Sequence, residues 1–144
     1  MSSERRIDPY SILILVISIL GVLLILIGPF AGFYLPSFGN RYSCFDCEYT
    51  TTGDLIAQIM LLIFLVIQLV LAINNLLPTK FIKIETGKFE ILVALLTIVF
   101  AIIGIAVFGT VYADFEWWPE LGFYSGILTG ILNLILVVLR IKLK

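Results

Sequence analysis

The 144-residue sequence has no histidine, two cysteines and few charges, with 13% of its positions Asp, Glu, Lys or Arg. Each shortage excludes something. Without histidine the chain lacks the commonest general base and the commonest metal ligand. Nine Lys and Arg against ten Asp and Glu leave a formal charge of -1, so there is no basic surplus with which to hold nucleic acid. Charges are about half as frequent as in an average globular domain, and 61% of residues are apolar. An ordinary water-soluble fold, a disordered tail and a collagen-like fibre are thereby excluded. There is also no lipidation box, no N-x-[ST] sequon and no internal repeat of fixed period.

What the chain does have is long apolar runs. A helix needs about 20 such residues to cross a bilayer, and four stretches of that length carry no charge in their interiors. They fall at about 10-30, 54-77, 89-111 and 121-140. Apolar residues run continuously round every face of each stretch, whereas a transmembrane barrel would need shorter segments of strict alternation. The expected fold is therefore all-α, a single transmembrane domain over 1-144 built as an integral membrane four-helix bundle. Asp8-Pro9 reads as a cap followed by a first-turn proline. Gly28-Pro29 loosens or ends the first span, Thr52 or Asp54 caps the second, Pro78 closes it after Asn74 and Asn75, Thr86 caps the third, and Pro119 with Glu120 opens the fourth. The first apolar run is about twice as long as a secretory signal core and lacks a small-x-small cleavage site, so it is expected to stay in the mature protein.

Direction follows from the cations. Arg5, Arg6, Lys80, Lys83, Lys88, Arg140, Lys142 and Lys144 fall on one side and only Arg41 on the other. The carboxylates sort oppositely: Asp46, Glu48, Asp54, Asp114, Glu116 and Glu120 lie with Arg41, while Glu4, Asp8, Glu85 and Glu90 lie with the cations. The positive-inside rule then places both termini and the inner loop 78-88 in the cytoplasm of a cell-membrane protein, with outer loops 31-53 and 112-120. The basic side is suited to anionic lipid.

Lipid tails are as apolar as Leu, so close backbone approach and a few interhelical hydrogen bonds must hold the helices together. Gly122, Gly126 and Gly130 form one ridge on the fourth span, as a glycine zipper would. The ridge is expected either to pack inside the monomer against the first or third span or to face a partner helix. Gly21 on the first span and Gly104 on the third continue the small-residue stripes. Ser18, Gln68, Thr97 and Asn133 lie at a similar depth, within about 3 Å at the helical rise, and form a mid-membrane polar layer. That layer reads as interhelical hydrogen bonding, Gln68 to Asn133 or to a neighbouring carbonyl. The sharper reading is a polar constriction for water, a small solute or a lipid headgroup. No ionisable group stands mid-membrane, so a proton relay, voltage sensor or ion-coupled transporter lacks its working residue.

Most of the aromatic residues gather at the outer side. Trp117 and Trp118 read as headgroup anchors, and with Tyr42, Phe45 and the nearby acids they read as a cap able to contact a partner, since Trp and Tyr supply disproportionate interface energy. Cys44-Phe45-Asp46-Cys47 is the only reactive constellation. On the oxidising side of a membrane, cysteines three positions apart are expected to form a local disulfide. With only Asp46 and Glu48 beside them, no metal site is expected. C-x-x-C just before the second of four helices also resembles the membrane quinone oxidoreductases that regenerate disulfides for periplasmic oxidants. That resemblance implies a redox role for Cys44 and Cys47, although 112-120 carries no second cysteine pair and no Arg closely follows the motif. The helix count, the two cysteines in a longer first outer loop and the glycine-rich fourth helix are similar to the claudin and peripheral-myelin tetraspans, which act in adhesion and scaffolding. The W-x-G-L-W motif of that group is absent here.

The sequence thus points to a small non-catalytic tetraspan acting as accessory subunit, scaffold or adhesion-type component through helix-helix and outer-face contacts. Its expected partners are the lipid bilayer and other membrane chains or further copies of itself, with no nucleic acid and no cofactor. The competing classes are a quinone-linked thiol-disulfide oxidoreductase and a passive pore or lipid-handling protein.

Overall fold

In the computed structural model, which describes residues 8-45, 47-48, 50-79, 81-82 and 86-143, four helices dominate. They are α1 (Pro9–Ile27), α2 (Thr52–Leu76), α3 (Gly87–Val111) and α4 (Leu121–Lys142). Each is long and apolar enough to cross a membrane, as fits a multi-pass membrane protein. Of the charges used to read direction, Glu4, Arg5, Arg6, Asp46, Lys80, Lys83, Glu85 and Lys144 lie outside the described residues, as does Tyr49.

Local chemistry sets the helix ends. Asp8 caps α1 by accepting from the Tyr10 amide, with Pro9 in the first turn. The helix ends at Ile27 rather than at Phe30, because Gly28 adopts extended backbone and Pro29 cannot continue the hydrogen-bond ladder. The cap of α2 is Thr51, one residue before Thr52 and three before Asp54, the two expected. Its hydroxyl accepts from the Asp54 amide while the Asp54 carboxylate accepts from the Thr51 amide, a reciprocal box. Thr86 stands at the head of α3 without a side-chain cap bond. At α4 the Glu120 side chain makes no cap either. The Glu120 and Gly122 amides instead donate to the carbonyls of Phe30, at 3.0 Å, and Pro29, at 2.9 Å.

The all-α expectation needs one correction. At one end of the bundle the connections form a three-stranded antiparallel sheet of β1 (Ala31–Leu35), β2 (Gly39–Ser43) and β3 (Trp117–Pro119), in the order β2-β1-β3. The hairpin turns through Pro36, closed by the Phe38 amide donating to the Leu35 carbonyl at 3.1 Å. Gly39 follows with φ of 80°, the left-handed geometry that only glycine takes without strain. β3 comes from the connection between α3 and α4 and pairs Phe33 with Trp117 and Gly32 with Trp118. The segment after α1 therefore joins both connections at this end into one unit.

The helices pack in the ring order α1-α2-α3-α4. Two apolar cores result. The larger, at the sheet end, contains Ile25, Phe30, Phe33, Leu61, Leu65 and Phe108; the smaller, at the other end, contains Ile14, Ala72 and Val137. The outward faces present Leu13, Leu20, Ile63, Leu92, Ile102 and Leu128, all exposed, as lipid-facing surfaces should.

Candidate functional site

Four side-chain groups carry the chemistry of this chain, at three depths. The first is the far face of the sheet. Residues opposite one another across strands share a face, and Tyr42 of β2, Gly32 of β1 and Trp118 of β3 are such partners, followed by Tyr34 opposite Asn40. Tyr34 and Tyr42 are exposed and Trp118 is half-buried. The Trp118 indole lies over Gly32, where a methyl group would stand 2.8 Å from its Nε1. That Nε1–H donates to Glu120 Oε1 at 2.7 Å, which fixes the ring. The opposite face turns into the bundle. There Phe33 stacks on Tyr112 with ring centroids 3.9 Å apart, and Trp117 meets Phe108 edge-on at 6.2 Å and lies against Gly109. Trp117 and Trp118, expected to act alike, thus point to opposite faces of one strand, and Trp117 is 38% exposed.

The second group links β2 to α2. Cys44 and Cys47 are joined in a disulfide, and the turn they enclose is gripped from the chain beyond it. The Thr50 hydroxyl accepts from the Cys44 amide at 2.9 Å and donates to the Cys44 carbonyl at 2.6 Å. Phe45 packs against the larger core. Beneath, the Ser43 hydroxyl donates to Asp54 Oδ2, and Gln58 Nε2 donates to Ser43 Oγ at 3.1 Å. Ser43 and Asp54 are both 0% exposed, so this hydroxyl-carboxylate pair is closed to any substrate and ties a strand to a helix.

The third group is the polar layer expected in mid-membrane. Asn133 Nδ2 donates to Ser18 Oγ at 3.1 Å, bridging α4 to α1. Thr97 turns back on its own helix, donating to the Val93 carbonyl at 2.9 Å. Gln68 does not bond Asn133: both ends of its carboxamide, and Asn133 Oδ1, are buried without a hydrogen-bond partner. The small residues flank this layer. Methyl groups placed on Gly21, Gly104 and Gly130 would stand 2.6 Å from Thr129 Cγ2, 2.7 Å from Ala57 Cβ and 2.6 Å from Ile98 Cγ1. Those on Gly122 and Gly126 would stand 3.1 Å from Phe30 Cα and from Leu61 Cδ1. All five glycines face neighbours within this chain.

The fourth group lies at the end opposite the sheet. Glu90 of α3, 0% exposed, accepts from both terminal nitrogens of Arg140 on α4 and from Asn75 Nδ2 of α2 at 3.1 Å. The Thr86 hydroxyl also donates to it, at 3.4 Å. Arg140 reaches Ser11 of α1 at 3.3 Å and Asp8 at 3.9 Å. One ion pair thus touches all four helices. Next to it, Asn74 holds the backbone of Ile82 through two bonds, accepting from its amide and donating to its carbonyl. From the sequence, Asp8, Glu90 and Arg140 served only to read direction and span ends, and no pairing among them was expected. The available signal was that Glu90 and Arg140 stand a few residues inside the same end of two adjacent antiparallel spans, where a lone charge is costly.

Compared with known proteins, the chain matches no family model, no curated sequence and no solved structure.

Proposed function

We propose that the protein is a non-catalytic four-span membrane component, its termini cytoplasmic, serving as an accessory subunit or scaffold that meets a partner protein through the aromatic face of its sheet. The observation that carries this reading is the row Tyr42-Gly32-Trp118, with Tyr34 beside it, held on paired strands and not on a loose loop. Rigid aromatic side chains lose little entropy on contact and dominate protein interfaces. The charge asymmetry of the sequence supports an outward position for this face. An apolar groove of about 180 Å³ between α1 and α4, reaching Gly21 and Ser125, is suited to lateral contacts within the bilayer.

A photo-crosslinking residue at Tyr42, with one at lipid-facing Ile102 as control, tests the reading in native membranes. Protein adducts from position 42 are expected; lipid adducts alone from both positions would overturn it.

One observation favours a second reading, a thiol-disulfide role for Cys44 and Cys47. Beside Cys47 is an open hollow of about 390 Å³ lined by Asn40, Arg41, Tyr42 and Glu48. Differential alkylation separates the two. A redox pair cycles with a quinone or a dithiol partner, whereas a structural bridge stays oxidised in both.

A further inference from the structure

We infer that Gln68 and Asn133 form a binding site for water at the centre of the bundle. The inference is independent of the partner reading above and rests on three buried atoms. Gln68 and Asn133 are each 1% exposed, and Gln68 Nε2, Gln68 Oε1 and Asn133 Oδ1 have no hydrogen-bond partner. In a bilayer interior no solvent reaches such atoms, and leaving them unpaired is costly.

Helix register brings them to one level. Gly21 faces both Leu65 of α2 and Thr129 of α4. Ser18 lies three residues before Gly21, Gln68 three after Leu65 and Asn133 four after Thr129, all toward the end opposite the sheet. At the helical rise each is displaced by about 4.5-6 Å in the same direction. The Ser18–Asn133 hydrogen bond confirms the alignment of α1 with α4. The layer falls between the two apolar cores, one ending at Leu65 and the other starting at Ala72 along α2.

Donor and acceptor counting selects the occupant. One donor and two acceptors are unmet. A direct bond from Gln68 Nε2 to Asn133 Oδ1 satisfies two of the three and leaves Gln68 Oε1 with nothing. Flipping the Asn133 carboxamide does not help: Oδ1 then accepts from the Ser18 hydroxyl and Nδ2 turns toward Gln68 Oε1, but Gln68 Nε2 is left with nothing. The Thr97 hydroxyl proton is committed to the Val93 carbonyl, so Thr97 offers no donor to Gln68 Oε1 or Asn133 Oδ1. A water molecule accepts from Gln68 Nε2, donates one proton to Gln68 Oε1 across the same carboxamide edge, and donates the other to Asn133 Oδ1. All three atoms are then paired, within the two to four partners a buried water takes. An ion is disfavoured at this level, since Ser18, Gln68, Thr97 and Asn133 are all neutral.

The chain has only two glutamines, Gln58 and Gln68, so side-chain amide labelling gives a sparse spectrum. The protein is labelled with 15N at Gln and Asn side chains and reconstituted in phosphatidylcholine bilayers. Magnetisation transfer from water protons is then followed by solid-state NMR. Gln58, equally buried but bonded to Ser43, is the internal control. Transfer to the Gln68 amide at least severalfold faster than to Gln58 is expected, with transfer to Asn133 falling severalfold in Gln68→Leu. If Gln68 in the wild-type protein receives water magnetisation no faster than Gln58, the inference is overturned. The same holds if its amide correlates only with Asn133 or Ser18 protons. The wild-type comparison decides the matter even where Gln68→Leu does not fold.

Discussion

Replacing Glu90 by alanine should be the most damaging single change at the end of the bundle opposite the sheet. The substitution removes the acceptor of both Arg140 terminal nitrogens, of Asn75 and of Thr86 in one step. Arg140, only 8% exposed, is left with Ser11 at 3.3 Å and the half-exposed Asp8 at 3.9 Å. Breaking a buried ion pair from one side costs about 3-5 kcal/mol, mostly because the surviving charge stays desolvated. Asp8 offsets part of this, so the expected loss is at the lower limit, about 3 kcal/mol, or roughly two orders of magnitude in the unfolding equilibrium. Glu90→Gln keeps an acceptor for Asn75 and should lose less. The double variant Glu90→Leu with Arg140→Leu removes both charges together and should be more stable than Glu90→Ala. Reversible unfolding in bicelles, followed by steric trapping, measures all three, with the single variants Glu90→Leu and Arg140→Leu, against the exposed control Lys142→Ala. The reasoning fails if Glu90→Ala is no worse than that control, or if the double variant loses the sum of its two single losses.

Other expectations follow from particular contacts. Gly104→Ala sets a methyl group against Ala57 Cβ, which has no rotamer to move, and against the Phe30 ring. It should cost about 1-3 kcal/mol, whereas Gly126→Ala, with its nearest neighbour a terminal Leu61 methyl at 3.1 Å, should cost less; the same bicelle assay ranks them. Reducing Cys44–Cys47 opens a very short loop, so the chain-entropy estimate is about 2 kcal/mol, and thermal unfolding should shift down with helical circular dichroism unchanged at 25 °C. Trp118→Phe removes the indole bond to Glu120 and should cost about 1 kcal/mol, with a change in tryptophan emission that leaves Trp117 as the sole tryptophan. Gly39→Ala forces alanine to φ of 80° and should cost about 1 kcal/mol, read as faster proteolysis of the hairpin.

The helices were legible because bilayer thickness imposes a length and hydrocarbon imposes a composition, and both are visible in a single sequence. The Asp8-Pro9 start and the shared depth of Ser18 and Asn133 were recoverable for the same local reasons, but the bond expected between Gln68 and Asn133 does not form, and Asn133 bonds Ser18 instead. The sheet was not foreseen, because Phe30 to Leu35 reads equally well as the end of an apolar span and as an aromatic belt. Its hairpin signal, Pro36 with Gly39 between alternating residues, is short, and β3 has three residues whose pairing is decided only by tertiary contact. Tyr42, Gly32 and Trp118 come together through that pairing, so no linear pattern announces the face they form. The Glu90–Arg140 pair was hidden differently. A charge in the first or last turn of a span ordinarily reaches the aqueous boundary, and only the three-dimensional ring of helices shows that these two turn inward.

Apolar burial distinguishes poorly between helix arrangements in lipid, so the arrangement found here must be selected by contacts that lipid cannot imitate. On α4 those contacts share one stripe. Gly122, Gly126, Gly130, Asn133, Val137 and Arg140 recur at steps of three and four and are all buried. Turning α4 by a single residue, about 100°, would withdraw the close glycine approaches, the Asn133–Ser18 bond and the Arg140–Glu90 pair together. Sliding it by one turn would instead place Asn133 and Arg140 beside apolar side chains. Rotation and register are therefore fixed from the middle of the bundle to the end opposite the sheet. Tyr34 and Tyr42, on the far face of the sheet, take part in none of these contacts. The bundle can hold its geometry while those side chains change, which is the freedom a surface needs if its task is to match a partner.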